Sequence, residues 1–244
     1  MTSNLQTQTV TYQTNALGRD FAVGDIHGSF SALQTALNTI EFNSEVDRLF
    51  SVGDLVDRGP ESHHVLEWLD KPWFHAICGN HDLMAWRSAL GNPYPGVNHH
   101  QHGGAWLDEL DVDVKLAIGR RLAELPLVME VQTPNGLIGI VHAQCPHDDW
   151  ELLSNNEPSE ADIDCYLWSI DRHQQKISSP IRNVHAVVHG HMTVSNMVVL
   201  GNAYYIDTGG WTDRGHFTFL NLHDMQAYSG PGDDWFPFDR RMYR

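Results

Sequence analysis

Short apolar runs alternate with helical patterns through the first half of the chain. Phe21-Ala22-Val23 ends at Gly24, and Ser29 or Ser31 then stands where a helix would be capped. Leu33, Ala36, Leu37 and Ile40 follow at three- and four-residue steps, the spacing of one buried helix face. The unit repeats. Leu49–Val52 runs into Gly53, Pro60 suits a first helical turn, and Val65, Leu66 and Leu69 predict a second helix. Phe74–Ile77 leads to Gly79 and a third helix near Leu83, Met84 and Trp86. Strand–loop–helix units in series predict βαβ construction, with chemistry-bearing side chains on the loops at the carboxyl ends of the strands.

The pattern changes after Gly91–Gly96, where two prolines interrupt it. Trp106–Ala123 reads as mainly helical, and Leu127–Val131 and Leu137–Val141 flank Pro134-Asn135-Gly136, a hairpin signal. Ser159 opens a helical stretch over Glu160–Gln175. Ala186–His189, Met197–Leu200, Tyr204–Ile206 and Phe217–Leu220 then read as strands separated by glycine turns. A half that alternates strand and helix, followed by a strand-rich half, packs most simply as a layered α/β sandwich with two sheets. No linker or fixed-period repeat divides it. Residues 1–17 are therefore assigned to an N-terminal polar segment and residues 18–244 to a single domain.

Composition narrows the function more than the fold. The 244 residues are 41% hydrophobic and 19% charged, an ordinary folded balance. The first residues lack a basic, apolar leader, and no run approaches the ~18 residues of a membrane span. Cys78, Cys145 and Cys165 are unevenly spaced and form no Cys-x-x-Cys pair, so reduced thiols and a cytoplasmic location are expected. Lys and Arg number 15 against 31 Asp and Glu, a formal charge of −16. That balance disfavours nucleic-acid backbones and anionic membranes as partners. An enzyme for phosphate esters would then need a local positive site, which metal ions supply directly.

Three glycine-flanked segments carry the candidate chemistry: Gly24-Asp25-Ile26-His27-Gly28, Gly53-Asp54-Leu55-Val56-Asp57-Arg58-Gly59 and Gly79-Asn80-His81-Asp82. Each follows a predicted strand. Val141-His142 and Gly190-His191 stand at strand ends in the second half. Asp25, His27, Asp54, Asn80, His142 and His191 thus offer six ligands for two divalent ions that share one bridging carboxylate. Mixed carboxylate, imidazole and amide donors suit Mn²⁺, Fe or Zn²⁺ better than a soft copper or iron–sulfur centre. His99, His100 and His102 read equally well as solvated loop residues. His189 reads as a packing or supporting residue and Asp207 as a turn or supporting residue.

These segments resemble the signatures Gly-Asp-x-His-Gly, Gly-Asp-x-x-Asp-Arg-Gly and Gly-Asn-His-Glu/Asp of the phosphoprotein phosphatase family of calcineurin-like metallophosphoesterases. The similarity is greatest to its small bacterial and bacteriophage lambda-type Ser/Thr protein phosphatases. It extends through Gly103-Gly104-Ala105-Trp106, Glu124-Leu125-Pro126-Leu127 and Tyr205-Ile206-Asp207-Thr208-Gly209, roughly residues 18 to 222. The resemblance implies a four-layer α/β/β/α sandwich with two mixed sheets and a binuclear centre, most often Mn²⁺. It implies hydrolysis of phosphomonoesters, in phosphorylated proteins or small phosphoesters, by direct attack of a bridging hydroxide. Asp25 and His27 would hold one metal, Asp54 would bridge, and Asn80, His142 and His191 would hold the other. His81 would protonate the leaving alkoxide, Asp57 would orient His81, and Arg58 and Asn80 would bind the phosphoryl group. Two arginines of the lambda-type pattern are replaced here, by Cys78 and Ile170, and Arg172 or, with less support, Arg214 is a candidate substitute. Asp82 and the missing arginine before Gly79 also resemble the dinucleoside polyphosphate hydrolases, where Asp57 is usually another residue. A metal-binding scaffold without turnover is the non-enzymatic alternative.

Overall fold

The computed structural model describes residue 5, residues 9–154 and residues 157–230. Most of the start of the N-terminal polar segment, and residues 231–244 of the predicted domain, lie outside the described residues. In chain order the elements are β1 (Val10–Tyr12), β2 (Asp20–Val23), α1 (Phe30–Thr39), β3 (Arg48–Ser51), α2 (Val65–Leu69), β4 (Phe74–Ala76), α3 (Asn80–Ala89), α4 (Val112–Ala123), β5 (Val128–Thr133) and β6 (Gly136–Val141). There follow α5 (Glu151–Ser154), α6 (Glu160–Trp168), α7 (Asp171–Gln174), β7 (Ala186–His189), β8 (Val198–Leu200), β9 (Ala203–Tyr205), β10 (Thr218–Asn221) and β11 (Ala227–Ser229). Short 3₁₀ turns cover Ser62–His64, His99–His102 and Gly104–Glu109.

Two mixed sheets form, in the orders β11-β10-β2-β3-β4 and β1-β5-β6-β7-β9-β8. Alternation along the strands sorts their side chains into two apolar layers. Ala22, Phe50, Ile77 and Leu220 of the first sheet face Met129, Val131, Ile138, Ile140 and Val188 of the second. On the opposite faces, Phe21, Val23 and Leu49 pack with Phe30, Leu33 and Leu37 of α1, and Val141 and Val187 lie with Trp150, Ile163 and Tyr166. The resulting order is helix, sheet, sheet, helix, as the resemblance implied.

The parallel strands matter most for function. β2, β3 and β4 run parallel in one sheet, and β6, β7 and β9 run parallel in the other. Their carboxyl ends meet on one edge of the sandwich, where His142 Nδ1 bonds the Val52 carbonyl at 2.8 Å across the two sheets. Asp25, Asp54, Asn80, His142, His191 and Asp207 all follow one of these six strands within four residues.

Two features depart from the sequence reading. Val10–Tyr12, within the polar segment, adds a parallel edge strand to β5. Tyr12 packs edge-on against Phe50 at 5.0 Å, while Thr11 donates to Glu130 Oε2 at 2.9 Å. The predicted Glu160–Gln175 helix is two helices broken at Ser169 and Ile170. Gln144 Oε1 accepts from Ser169 Oγ and from the Arg172 N–H, which turns the chain there. Ser159 does open α6, through a capping box with Asp162.

Candidate metal centre

The first two motif loops are laced together by backbone hydrogen bonds. Ile26 and His27 N–H donate to the Asp54 carbonyl at 3.0 and 2.8 Å, Gly28 N–H donates to Leu55, and Gly59 N–H donates to His27. That lacing holds His27, Asp54, Asp57 and Arg58 at positive φ, as His191 is on the far side. Such conformations cost roughly 1–3 kcal/mol each and persist where surrounding structure over-determines them. The third loop docks on the second at Gly79, where a Cβ would stand 2.2 Å from Asp54 Oδ1. Only glycine admits that approach. The α3 amino end then adds the His81 N–H, which donates to Asp54 Oδ1 at 2.9 Å.

Asp54 is central. His27 Nε2 lies 3.6 Å from Asp54 Oδ2, and His142 Nε2 lies 3.4 Å from Asp54 Oδ1. Ligand atoms of His27, Asp54 and His81 lie within 4.8 Å of one another, as do those of Asp54, His142 and His191. Asp25 joins the first group, with Oδ2 4.0 Å from His27 Nε2. Asn80 joins the second: its Oδ1 lies 2.9 Å from His142 Nε2 and 3.1 Å from His191 Nδ1. The structure therefore brings all six predicted ligands into one cluster, buried except for the half-buried His191, with His81 at its edge.

The donor set fits divalent cations. His27 Nδ1 is held by the Val56 carbonyl at 3.0 Å and His142 Nδ1 by the Val52 carbonyl, so each ring turns its Nε2 inward. Burial, then Asp207 and Asp54, push the Asp25 carboxyl well above its usual range. Burial opposes charge on His142, but the Asp54 carboxylate prevails and lifts it to about 9. Burial and the neighbouring His142 push His191 down to about 3. A proton on His142 thus offsets carboxylates that have been taken out of water, and a divalent ion would do so more completely.

His81 and Asp57 form a pair beside this cluster. His81 Nδ1 donates to Asp57 Oδ2 at 2.8 Å. Arg58 donates through Nη2 to His81 Nε2 and through Nη1 to His27 Nε2, both at 3.0 Å. Because a guanidinium only donates, both rings carry their proton on Nδ1, in agreement with the bonds to Asp57 and Val56. The Trp211 ring lies 4.7 Å from the Arg58 Cζ and edge-on to His27 at 4.8 Å. Burial would raise the Asp57 carboxyl, but hydrogen bonds from His81 and His99 outweigh it and hold the group below its usual value.

Arg172 is not brought to the cluster. Its guanidinium is buried against the Asp148 carboxylate and donates to the Ile177 and Ser179 carbonyls at 3.1 and 2.8 Å. It braces the chain after α7. Cys78 is buried in the core, where burial and the carboxylates of Asp82 and Asp54 push its thiol well above the usual range. Ile170 packs half-buried on the outer core, and Arg214 is exposed. Asp82 accepts from the Gly79 and Leu55 N–H groups, each at 2.9 Å, and so ties the second and third loops together. His189 stacks on Tyr205, and Asp207 accepts from Thr193 and the Gly209 N–H. Sequence reasoning missed His99, Trp106 and Trp211. Of these, only Trp106 stood in a segment that carried the resemblance.

Residues 21–197 match the calcineurin-like phosphoesterase family. The chain belongs to that family. Its members are metal-dependent phosphoesterases. Serine/threonine-protein phosphatase 2 of Escherichia coli (strain K12) is 34% identical over 211 residues, covering 83% of this chain and 92% of that protein. Bis(5'-nucleosyl)-tetraphosphatase of Erwinia tasmaniensis is 43% identical over 95 residues, 38% of this chain and 33% of that one. A crystal structure provisionally described as a diadenosine tetraphosphatase superposes with a TM-score of 0.67 at 21% identity, covering 93% of this chain and 98% of that chain, which shows the shared fold.

Proposed function

We propose that this phosphoesterase is a binuclear-metal phosphomonoesterase acting on phosphoserine and phosphothreonine in proteins. The observation that carries the reading is the buried His81–Asp57 pair at 2.8 Å beside the ligand cluster. A monoester with an alkoxide leaving group needs a proton delivered as its P–O bond breaks, and a carboxylate-backed imidazole is suited to deliver it. Near end-to-end likeness to a bacterial Ser/Thr phosphatase supports the same substrate class.

Asp25, His27, Asp54, Asn80, His142 and His191 would hold two ions, with Mn²⁺ the first choice and Fe or Zn²⁺ as alternatives. When bound, they supply Lewis-acid stabilisation of the phosphoryl oxygens and a water acidic enough to attack at neutral pH. The protein's own groups do the rest. Arg58 grips phosphoryl oxygens with a planar fork, seated by Trp211. His81 gives a proton to the ester oxygen, and Asp57 keeps that ring in register.

The second reading is dinucleoside polyphosphate hydrolysis. Identity of 43% over 95 residues with a tetraphosphatase favours it, but that stretch covers only 33% of the relative. Parallel assays with a phosphoserine peptide and diadenosine tetraphosphate distinguish the two. Rapid cleavage of the peptide is expected, and efficient cleavage of the dinucleotide alone would overturn the assignment. If the Mn²⁺-loaded protein hydrolyses no phosphate ester, the scaffold reading replaces both.

A further inference from the structure

Asp57 accepts more hydrogen bonds than orienting one imidazole requires. Its Oδ2 takes the His81 Nδ1–H, and His99 Nε2 approaches both carboxylate oxygens, at 2.8 and 3.0 Å. Trp106 Nε1–H donates to Oδ1 at 2.8 Å. Asp57 and His99 are both buried. Asp57 is also fixed at its backbone, where its N–H donates to Ser62 Oγ at 2.9 Å. His99 has little room to leave, since a Cβ on Gly104 would stand 2.3 Å from its ring.

The terminal torsion of an aspartate is soft, so one hydrogen bond to His81 would leave the carboxylate free to rock. An indole N–H can only donate, which fixes Oδ1 as an acceptor on the side away from His81. His99 adds a donor on the same carboxylate, and the two together leave Oδ2 aimed at His81 Nδ1. Resting on the reading of His81 as the acid, we propose that His99, with Trp106, is a positioning residue for leaving-group protonation. It acts through Asp57 and touches no reacting atom. Once Arg58 turns from His81 Nε2 to the phosphoryl group, Nε2 can carry a second proton taken from water; that proton passes to the ester oxygen as the P–O bond breaks, and the bonding pair stays on that oxygen.

The test compares p-nitrophenyl phosphate, whose leaving group departs without a proton, with a phosphoserine peptide, whose leaving group needs one. It uses the Mn²⁺-loaded 244-residue chain. General acid catalysis contributes about 10²–10⁴-fold, and a small misplacement of the acid forfeits part of it. His99→Ala is expected to lower kcat on the peptide by about 10–100-fold and on the aryl ester by less than about 3-fold. KM and metal content should not change. His99→Gln, which can restore an N–H near the same place, should recover most of the loss. Trp106→Phe keeps the ring without its donor; it should show the same bias towards the peptide, and it carries the test if His99→Ala does not fold. Equal slowing of both substrates, or none, in the variants that fold overturns the proposal. His81→Ala is the reference: its bias towards the peptide upholds the acid reading whatever His99 does. No such bias in His81→Ala overturns that reading and this proposal with it.

Discussion

Asp54→Asn should abolish binding of both ions while leaving the metal-free fold intact. Asp54 belongs to both ligand triads, so one substitution weakens two sites at once. Asparagine keeps an Oδ1 to accept the His81 N–H, so the local backbone retains its 2.9 Å hydrogen bond. A ligand at 100 times its Kd stabilises the folded state by about 2.7 kcal/mol, so two independent ions add about 5 kcal/mol. At about 2–4 °C per kcal/mol for a chain of this size, Mn²⁺ should raise the wild-type Tm by roughly 10–20 °C. In Asp54→Asn that rise should vanish, and elemental analysis should find no retained Mn²⁺. The metal-free variant should melt somewhat lower than the metal-free wild type, because burial disfavours the Asp54 carboxylate but His142, His81 and His27 outweigh it and hold the group well below its usual range, and asparagine loses those interactions. In the same sample the His142 pKa should fall from about 9, because burial is no longer outweighed by the Asp54 carboxylate; NMR titration of the imidazole follows it. Calorimetry with and without Mn²⁺ measures the main effect. Retention of both ions, or loss of one only, would refute the shared role of Asp54.

Three further outcomes follow from the same geometry. Arg172→Ala should leave KM for phosphoesters unchanged but lower stability by about 2–4 kcal/mol, because the Ile177 and Ser179 carbonyls lose their donor; urea unfolding and steady-state kinetics separate the two effects. Arg58→Ala should raise KM for p-nitrophenyl phosphate at least about 10-fold with metal content unchanged, and an unaltered KM would remove Arg58 from phosphate binding. His75 lies between Tyr12 and Phe50, and burial, then Arg48, push its pKa from 6.5 down to about 4. The folded ring therefore stays neutral while the unfolded ring takes up a proton, so the stability held above about pH 6.5 is lost as pH falls towards 4. His75→Gln should remove about 2–3 kcal/mol of that loss, allowing for partial solvent screening, and parallel denaturation curves from pH 7 to 4 would sink the idea.

What could be read from the sequence, and what could not, divides along a physical line. The six candidate ligands were legible because each stands just after an apolar run, four of them in the three glycine-flanked segments and His142 and His191 at strand ends, so strand, turn and side chain are encoded within a few neighbouring residues. The hairpin of β5 and β6 was legible for the same reason, through Asn135-Gly136. The edge strand β1 was not, because its partner β5 lies more than a hundred residues away and three alternating residues carry no periodicity of their own. β11 is equally short and gains its place by pairing with β10 and by the edge-on contact of Tyr228 with Phe21. The placement of Arg172 was not legible for a related reason. Arg172 stood near the right place in the chain, but α7 turns away from α6 at Ser169, and Asp148 and two carbonyls take up its donors. His99 shows the converse. Among three histidines in a loop it carried no distinguishing signal, and only the fold brings it to the carboxylate that also holds His81. In a chain of formal charge −16, the guanidinium that reaches the cluster among the described residues is Arg58, held there by Trp211 and two imidazoles. The proposed phosphate grip therefore depends on contacts that tertiary structure assembles, whereas the candidate metal centre is written locally along the chain.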